Sequence, residues 1–173
     1  MKTLREVQSI FTLHPQETAS RISYLMKQNI DWDVFLVSKN MNLQRDFVWD
    51  IIQKRELIWS ILIGRHIPHC AIIRSCDINY NDVFLIIDGK QRLSSIFDYV
   101  NNKYTLIIDN VEYYYSELPR EFQLEISNYF VRYYTLNEEK PNTFTDEDKI
   151  NWFRFINYAG TLQDAKHIEN LLK

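Results

Sequence analysis

Three stretches of the chain hold residues whose types and spacing could do chemistry: Asp88-Gly89-Lys90-Gln91-Arg92, Gln44-Arg45 running on to Trp49, and Phe153-Arg154-Phe155-Ile156-Asn157-Tyr158-Ala159-Gly160. The first says most. A turn that opens a helix with two cations brings free backbone N–H groups and positive charge to one point, which is the chemistry of anion binding. Arg92 supplies a fixed planar charge suited to phosphate. In the second stretch Arg45 could reach the same anion while an aromatic stacks on a base, or Phe47 and Trp49 could fold under as core. In the third, Asn157 and Gly160 suit a helix C-terminus.

The elements around the first stretch follow from hydrophobic phase. Val83 to Ile87 is an unbroken apolar run of five residues, three of them β-branched, and reads as a buried strand. Asp88-Gly89 is also a hairpin signal. Beyond it, however, Leu93, Ile96, Phe97 and Val100 fall at i, i+3, i+4 and i+7, one face of a helix. The unit is therefore strand, glycine turn, helix. Two readings share the turn: Asp88 caps the helix with Lys90 and Arg92 solvated, or the turn holds an anion. Cations in a first helical turn oppose the helix dipole by about 0.3–1 kcal/mol each, a conflict that a bound polyanion removes.

Elsewhere, Pro15 with Ala19, Ile22, Leu25 and Met26 predicts a first helix ending near Asn29, so residues 1–30 read as a helical N-terminal extension. Asp31 to Ser38 predicts a strand that buries Val34 to Val37. Asp50 is placed to cap a helix carrying the stripes Ile51/Ile58/Leu62 and Ile52/Trp59/Ile63, with Gly64 just past its end. Residues 69–76 and 82–87 predict paired strands, and 105–108 with 112–115 a hairpin across Asp109-Asn110. Ser116 is expected to cap a helix with Pro119 in its first turn, Phe130 to Leu136 to form a strand, and Thr145 to Asp148 to open a helix through a capping box. A short helix from about Thr161 through Leu172 closes the chain. The sum is an α+β domain of small sheets and packed helices.

With 173 residues, 46% hydrophobic, and no Pro/Gly-rich or low-complexity linker, one domain over 1–173 is expected. Apolar runs are too short to span a bilayer and the N-terminus lacks an apolar leader core, so the expected location is the cytoplasm, with Cys70 and Cys76 reduced. The net charge of −3 argues against a generic nucleic-acid coat. Residues 39–103 nevertheless carry nine basic against seven acidic side chains, and 104–173 seven against twelve, so an anion site fits the middle third better. His66 and His69 beside Cys70 and Cys76 make a poor zinc set, because Pro68 breaks the helical phase and no second ligand pair has the right spacing. No metal ligands are therefore assigned.

Taken in order, Leu43 to Trp49, Ile61 to Pro68, Ile86 to Ser95, Glu117-Leu118-Pro119 and Phe153 to Gly160 resemble the motifs of one family. It is the N-terminal domain of GmrSD-type, modification-dependent restriction endonucleases, which is related to the ParB and sulfiredoxin fold; the resemblance covers about residues 31–165. It implies a domain that binds and hydrolyses a nucleoside triphosphate through an Asp-Gly-Gln-Gln-Arg signature, in defence against foreign or modified DNA. By position Asp88, Gly89, Gln91 and Arg92 match that signature, Arg45 a Gln-Arg element, and Asn157 a late Asn-x-Gly-Gly element. The implied roles are catalysis for Asp88 and Arg92, and phosphate or nucleotide contact for Arg45, Gly89, Lys90, Gln91, Arg92 and Asn157. Asp88 would bridge to Mg²⁺ or orient water or a ribose hydroxyl, since a bare carboxylate repels a triphosphate.

Lys90 replaces the family's usual glutamine, Phe155 its usual arginine and Ala159 a glycine. Arg154 lies one residue, about 100° of helix, from the expected arginine position. The chain ends at Lys173, so the expectation is either a nuclease on a separate subunit or a protein that does not cleave DNA. Two other classes stay open: a non-catalytic interaction or regulatory protein that keeps the fold, and a DNA-nicking module, which the acidic balance disfavours.

Overall fold

The computed structural model describes residues 14–77, 79, 81–138, 140 and 143–158. A five-stranded mixed sheet runs through its centre in the order β1-β9-β5-β6-β2: β1 Gln16–Arg21, β9 Phe130–Asn137, β5 Cys70–Cys76, β6 Asp82–Asp88 and β2 Ile30–Asp31. The central strands β5 and β6 are antiparallel, while β5 with β9 and β2 with β6 are parallel. Successive residues of a strand face opposite ways. Cys70, Ile72, Phe84, Ile86, Val131 and Tyr133 thus join one core, whereas Ala71, Ile73, Ile87 and Leu136 join another. Burial on both faces explains why β6 reads as a continuous apolar run.

The first core is covered by α1 Ile22–Leu25, α2 Ile51–Leu62, α3 Lys90–Val100 and α4 Arg120–Asn128. The second lies under α5 Asp146–Tyr158 and the small hairpin of β3 Phe35–Leu36 and β4 Met41–Asn42. A second hairpin joins β7 Leu106–Ile108 to β8 Val111–Tyr113 through Asp109 and Asn110, both at positive φ (49° and 63°), as a tight turn that follows strand twist requires. The class is α+β.

Several expectations hold in detail. Asp50 accepts from the Gln53 N–H at 2.8 Å and the Gln53 side chain accepts from the Asp50 N–H at 3.0 Å, a reciprocal cap. Gly64 ends α2 at φ +70°. Thr145 and Asp148 exchange the same pair of bonds at the start of α5. Both cysteines are free.

Others are corrected. The helix expected from Pro15 is instead strand β1 followed by the single turn α1, because Gln16 to Arg21 pair antiparallel with Phe130 to Thr135, more than a hundred residues away. The strand expected over 31–38 shrinks to β2 and β3. The Asp31 carboxylate accepts from the N–H groups of Asp33 and Val34, both at 3.0 Å, and so builds a turn. That turn holds Val34 at φ +48°, strained backbone for a β-branched residue. Val34 and Leu36 are buried as expected, but Phe35 and Val37 are exposed. The inward face of α2 is Leu57, Ile58 and Ile61, and Ile51, Ile52 and Ile63 lie in solvent. Ser116 belongs to a 3₁₀ turn, Tyr115–Glu117, and Pro119 takes the N-cap position of α4. The expected terminal helix, with Ala159 and Gly160, lies outside the described residues.

Candidate functional site

Strand β6 leads straight into the site. Ala71 pairs with Asp88 and Ile72 with Ile86, so Ile87 is an extra residue, and this bulge bends the strand just before its last member. Gly89 follows at φ +101°. A Cβ there would collide with the Cys70 side chain, lying 2.9 Å from its Cβ and closer still to its Sγ. Glycine is required at this position both by backbone conformation and by space. Gly89 takes the N-cap position of α3, where no side chain of a described residue accepts from the first-turn N–H groups. The reading in which Asp88 caps this helix is thereby set aside.

Asp88 is occupied elsewhere. Its Oδ2 accepts from Arg92 Nη2 at 2.7 Å, and the same nitrogen donates to the His69 carbonyl at 3.1 Å. Both side chains of the pair are largely buried. Burial works against the guanidinium charge, yet Arg92 stays above its ordinary pKa, with the Asp88 carboxylate and its hydrogen bond favouring the charged form. Burial, and to a lesser degree Asp88, raises the Cys70 thiol, with Arg92 acting the other way. The thiol is neutral filling beneath the turn. Lys90 Nζ meets Asp33 Oδ1 at 2.6 Å, and Asp33 is the more exposed partner. Both first-turn cations are thus answered by carboxylates, which is how the fold tolerates them against the helix dipole.

Gln91 reaches away from the turn. Its Oε1 accepts from the N–H groups of Val48 and Trp49 at 3.0 and 3.2 Å, and its Nε2 donates to the Asp46 carbonyl at 3.0 Å. The neighbouring Gln44 donates its side-chain N–H to the Ile86 carbonyl of β6. These bonds fasten the segment between β4 and α2 against the turn. Trp49 half-buries on the first core, and Lys54 Nζ sits 4.4 Å from the Phe47 ring centroid.

The result is a cavity of about 210 Å³ lined by Gln44, Arg45, Trp49, Asp88, Gly89, Lys90, Gln91 and Arg92. Arg45 makes no hydrogen bond or ion pair with any described residue. Six of the seven sequence candidates, Arg45 and Asp88 to Arg92, therefore meet in one place, drawn from stretches more than forty residues apart. Asn157 does not join them: it is buried in α5 and donates to the Phe153 carbonyl at 2.8 Å. Sequence reasoning passed over Asp33, the partner of Lys90, and Cys70, the floor under Gly89. Only the Asp-x-Asp spacing of 31 and 33 hints at the first, and nothing local marks the second.

Chemically the site offers a guanidinium with no partner among the described residues, N–H groups without a described side-chain cap, a cation paired with the exposed Asp33, and a carboxylate whose Oδ1 accepts no bond from a described residue. That set suits an anionic ligand carrying a group that can meet a carboxylate. Among the described residues no helix is long and apolar enough to cross a membrane. No curated protein and no solved structure gives a significant match. One family model, described as the N-terminal domain of GmrSD restriction endonuclease, matches residues 28–173. The match takes in every residue of the cavity, and the chain belongs to that family of restriction endonuclease domains.

Proposed function

We propose that the cavity holds the phosphates of a nucleoside triphosphate and that the domain hydrolyses it in the service of DNA restriction. The observation that carries this reading is the start of α3 opening, without a side-chain cap, on a cavity that also holds Arg45, which has no partner among the described residues. Pockets that enclose whole small molecules run to about 300–1,000 Å³. A space of about 210 Å³ suits the phosphate end alone, with the base lying toward Trp49 or solvent.

In this account the N–H groups of the first turn and Arg45 hold phosphate oxygens, stabilising charge that grows as the terminal phosphoryl group leaves. Lys90 exchanges Asp33, the exposed partner of their ion pair, for a phosphate oxygen. Arg92 fixes Asp88, and Asp88 Oδ1 receives or orients the attacking water. Among the described residues no three His, Cys, Asp or Glu side chains form a metal cage. As the alternative to orienting water, Asp88 would help hold Mg²⁺ together with the phosphates that carry it, the usual arrangement for that ion. When bound, it supplies neutralising charge. A nuclease of the same restriction system is the partner this reading implies.

Calorimetric titration with ATP, GTP, CTP and UTP plus Mg²⁺ tests the proposal. Arg45→Ala is the clean control, because its side chain supports no other group. The wild type binds at least one nucleotide, and Arg45→Ala weakens binding on the order of ten- to a hundredfold, the loss of one or two charged hydrogen bonds. Absence of wild-type binding, or equal binding by the variant, overturns the reading. A phosphate-release assay then separates hydrolysis from sensing.

A further inference from the structure

We infer that Gln91 is a positioning residue: its carboxamide clasps the loop that carries Arg45 and holds that guanidinium ready in the cavity. The inference rests on the phosphate reading above. Gln91 lies within the Asp88 to Arg92 turn, where direct contact with phosphate is the first expectation. Its side chain is committed instead to three bonds with loop residues 46, 48 and 49.

Residues 45–50 form neither helix nor strand, so side chains must satisfy and fix their backbone. On one side of Arg45, Gln44 is tied to the Ile86 carbonyl of the central sheet. On the other, Asp46 is tied by its carbonyl to Gln91. The arginine backbone is therefore anchored at both neighbours while its side chain is left free. Ordering a long side chain and its loop at the moment of binding costs affinity, and a loop already held avoids the backbone part of that cost.

The clasp is specific to a carboxamide. Two loop N–H groups need an acceptor and one loop carbonyl needs a donor, and a glutamine carboxamide offers both at the end of one unbranched side chain. A glutamate would keep the acceptors, lose the donor and bring negative charge beside the phosphates. Asparagine has the chemistry but is one methylene short.

The test is a cycle of wild type, Arg45→Ala, Gln91→Ala and the double variant. Each full chain is titrated with Mg²⁺ and inorganic triphosphate, a probe that depends on no base. Amide hydrogen exchange of Val48 and Trp49 is read alongside, with the amides of α3 as the check that the fold is intact and Gln91→Glu as a second variant if Gln91→Ala is unstable. Gln91→Ala is expected to weaken triphosphate binding on the order of tenfold or more and to shrink the Arg45→Ala effect to less than about threefold, because an unheld Arg45 has little left to lose. Val48 and Trp49 lose protection while α3 keeps it. Gln91→Glu should lose affinity likewise but retain part of the Val48 and Trp49 protection. Additive effects of the two substitutions, or unchanged protection of both amides in Gln91→Ala, would overturn this role alone. Failure of the wild type to bind triphosphate would overturn the phosphate reading together with it.

Discussion

Gly89→Ala is expected to lower the unfolding free energy by about 2–5 kcal/mol, read as a shift of the urea midpoint at constant slope. Two costs combine. An L side chain at φ +101° loses about 1–2 kcal/mol to backbone sterics. The new methyl would also meet the Cys70 side chain, and overpacking a filled interior costs about 1–3 kcal/mol. Gly64 separates the two contributions. It too has positive φ, at +70°, but nothing lies within 4 Å of the Cβ it would gain. Gly64→Ala should therefore show the conformational cost alone. Equal midpoints for the two variants would show that Cys70 is no barrier and that the floor of the site is softer than described.

Arg92→Ala should be destabilising by about 2–4 kcal/mol, somewhat below the full loss of a buried ion pair because both side chains keep some exposure. The substitution leaves Asp88 largely buried without its cation and the His69 carbonyl without its donor. A cycle with Asp88→Ala distinguishes the pair from its parts. Once Asp88 is gone, Arg92→Ala should cost about 1–3 kcal/mol less than in the wild type. Additivity within about 0.5 kcal/mol would mean that the two residues act independently. For the same reason Arg92→Ala is a poor probe of ligand binding: any affinity it loses mixes contact with collapse of the turn. Arg45, with no partner among the described residues, carries no such ambiguity.

The strand, turn and helix of the site were legible because each rests on local pattern. The apolar run of β6 and the i, i+3, i+4, i+7 phase of α3 both need only neighbouring residues. The caps at Asp50 and Thr145 were legible for the same reason. Strand β1 was not, since Gln16 to Arg21 has a weak pattern of its own and is made a strand by β9. The exposed ends of α2 were missed because an apolar stripe says which face turns inward but not how far the core beneath it extends.

At the site, which residues come together was more legible than which groups each one bonds. The cations Lys90 and Arg92 pointed to an anion because they oppose the helix dipole, yet Asp33 and Asp88 already answer them. What still points to an anion is subtler: N–H groups that Asp88 leaves uncapped, and Arg45, brought from forty residues away by a glutamine clasp. Neither can be seen without the fold. Asn157 shows the converse, a residue that matches a motif by position yet spends its amide within its own helix.

The most direct test of the central claim is to follow the backbone amide resonances of the ¹⁵N-labelled protein during titration with a nucleoside triphosphate and Mg²⁺. Phosphates seated on the start of α3 should move the Gly89, Lys90, Gln91 and Arg92 signals most, with Arg45 and its loop next, while β1 and α4 stay still. Shifts centred elsewhere, or none at saturating nucleotide, would contradict the account.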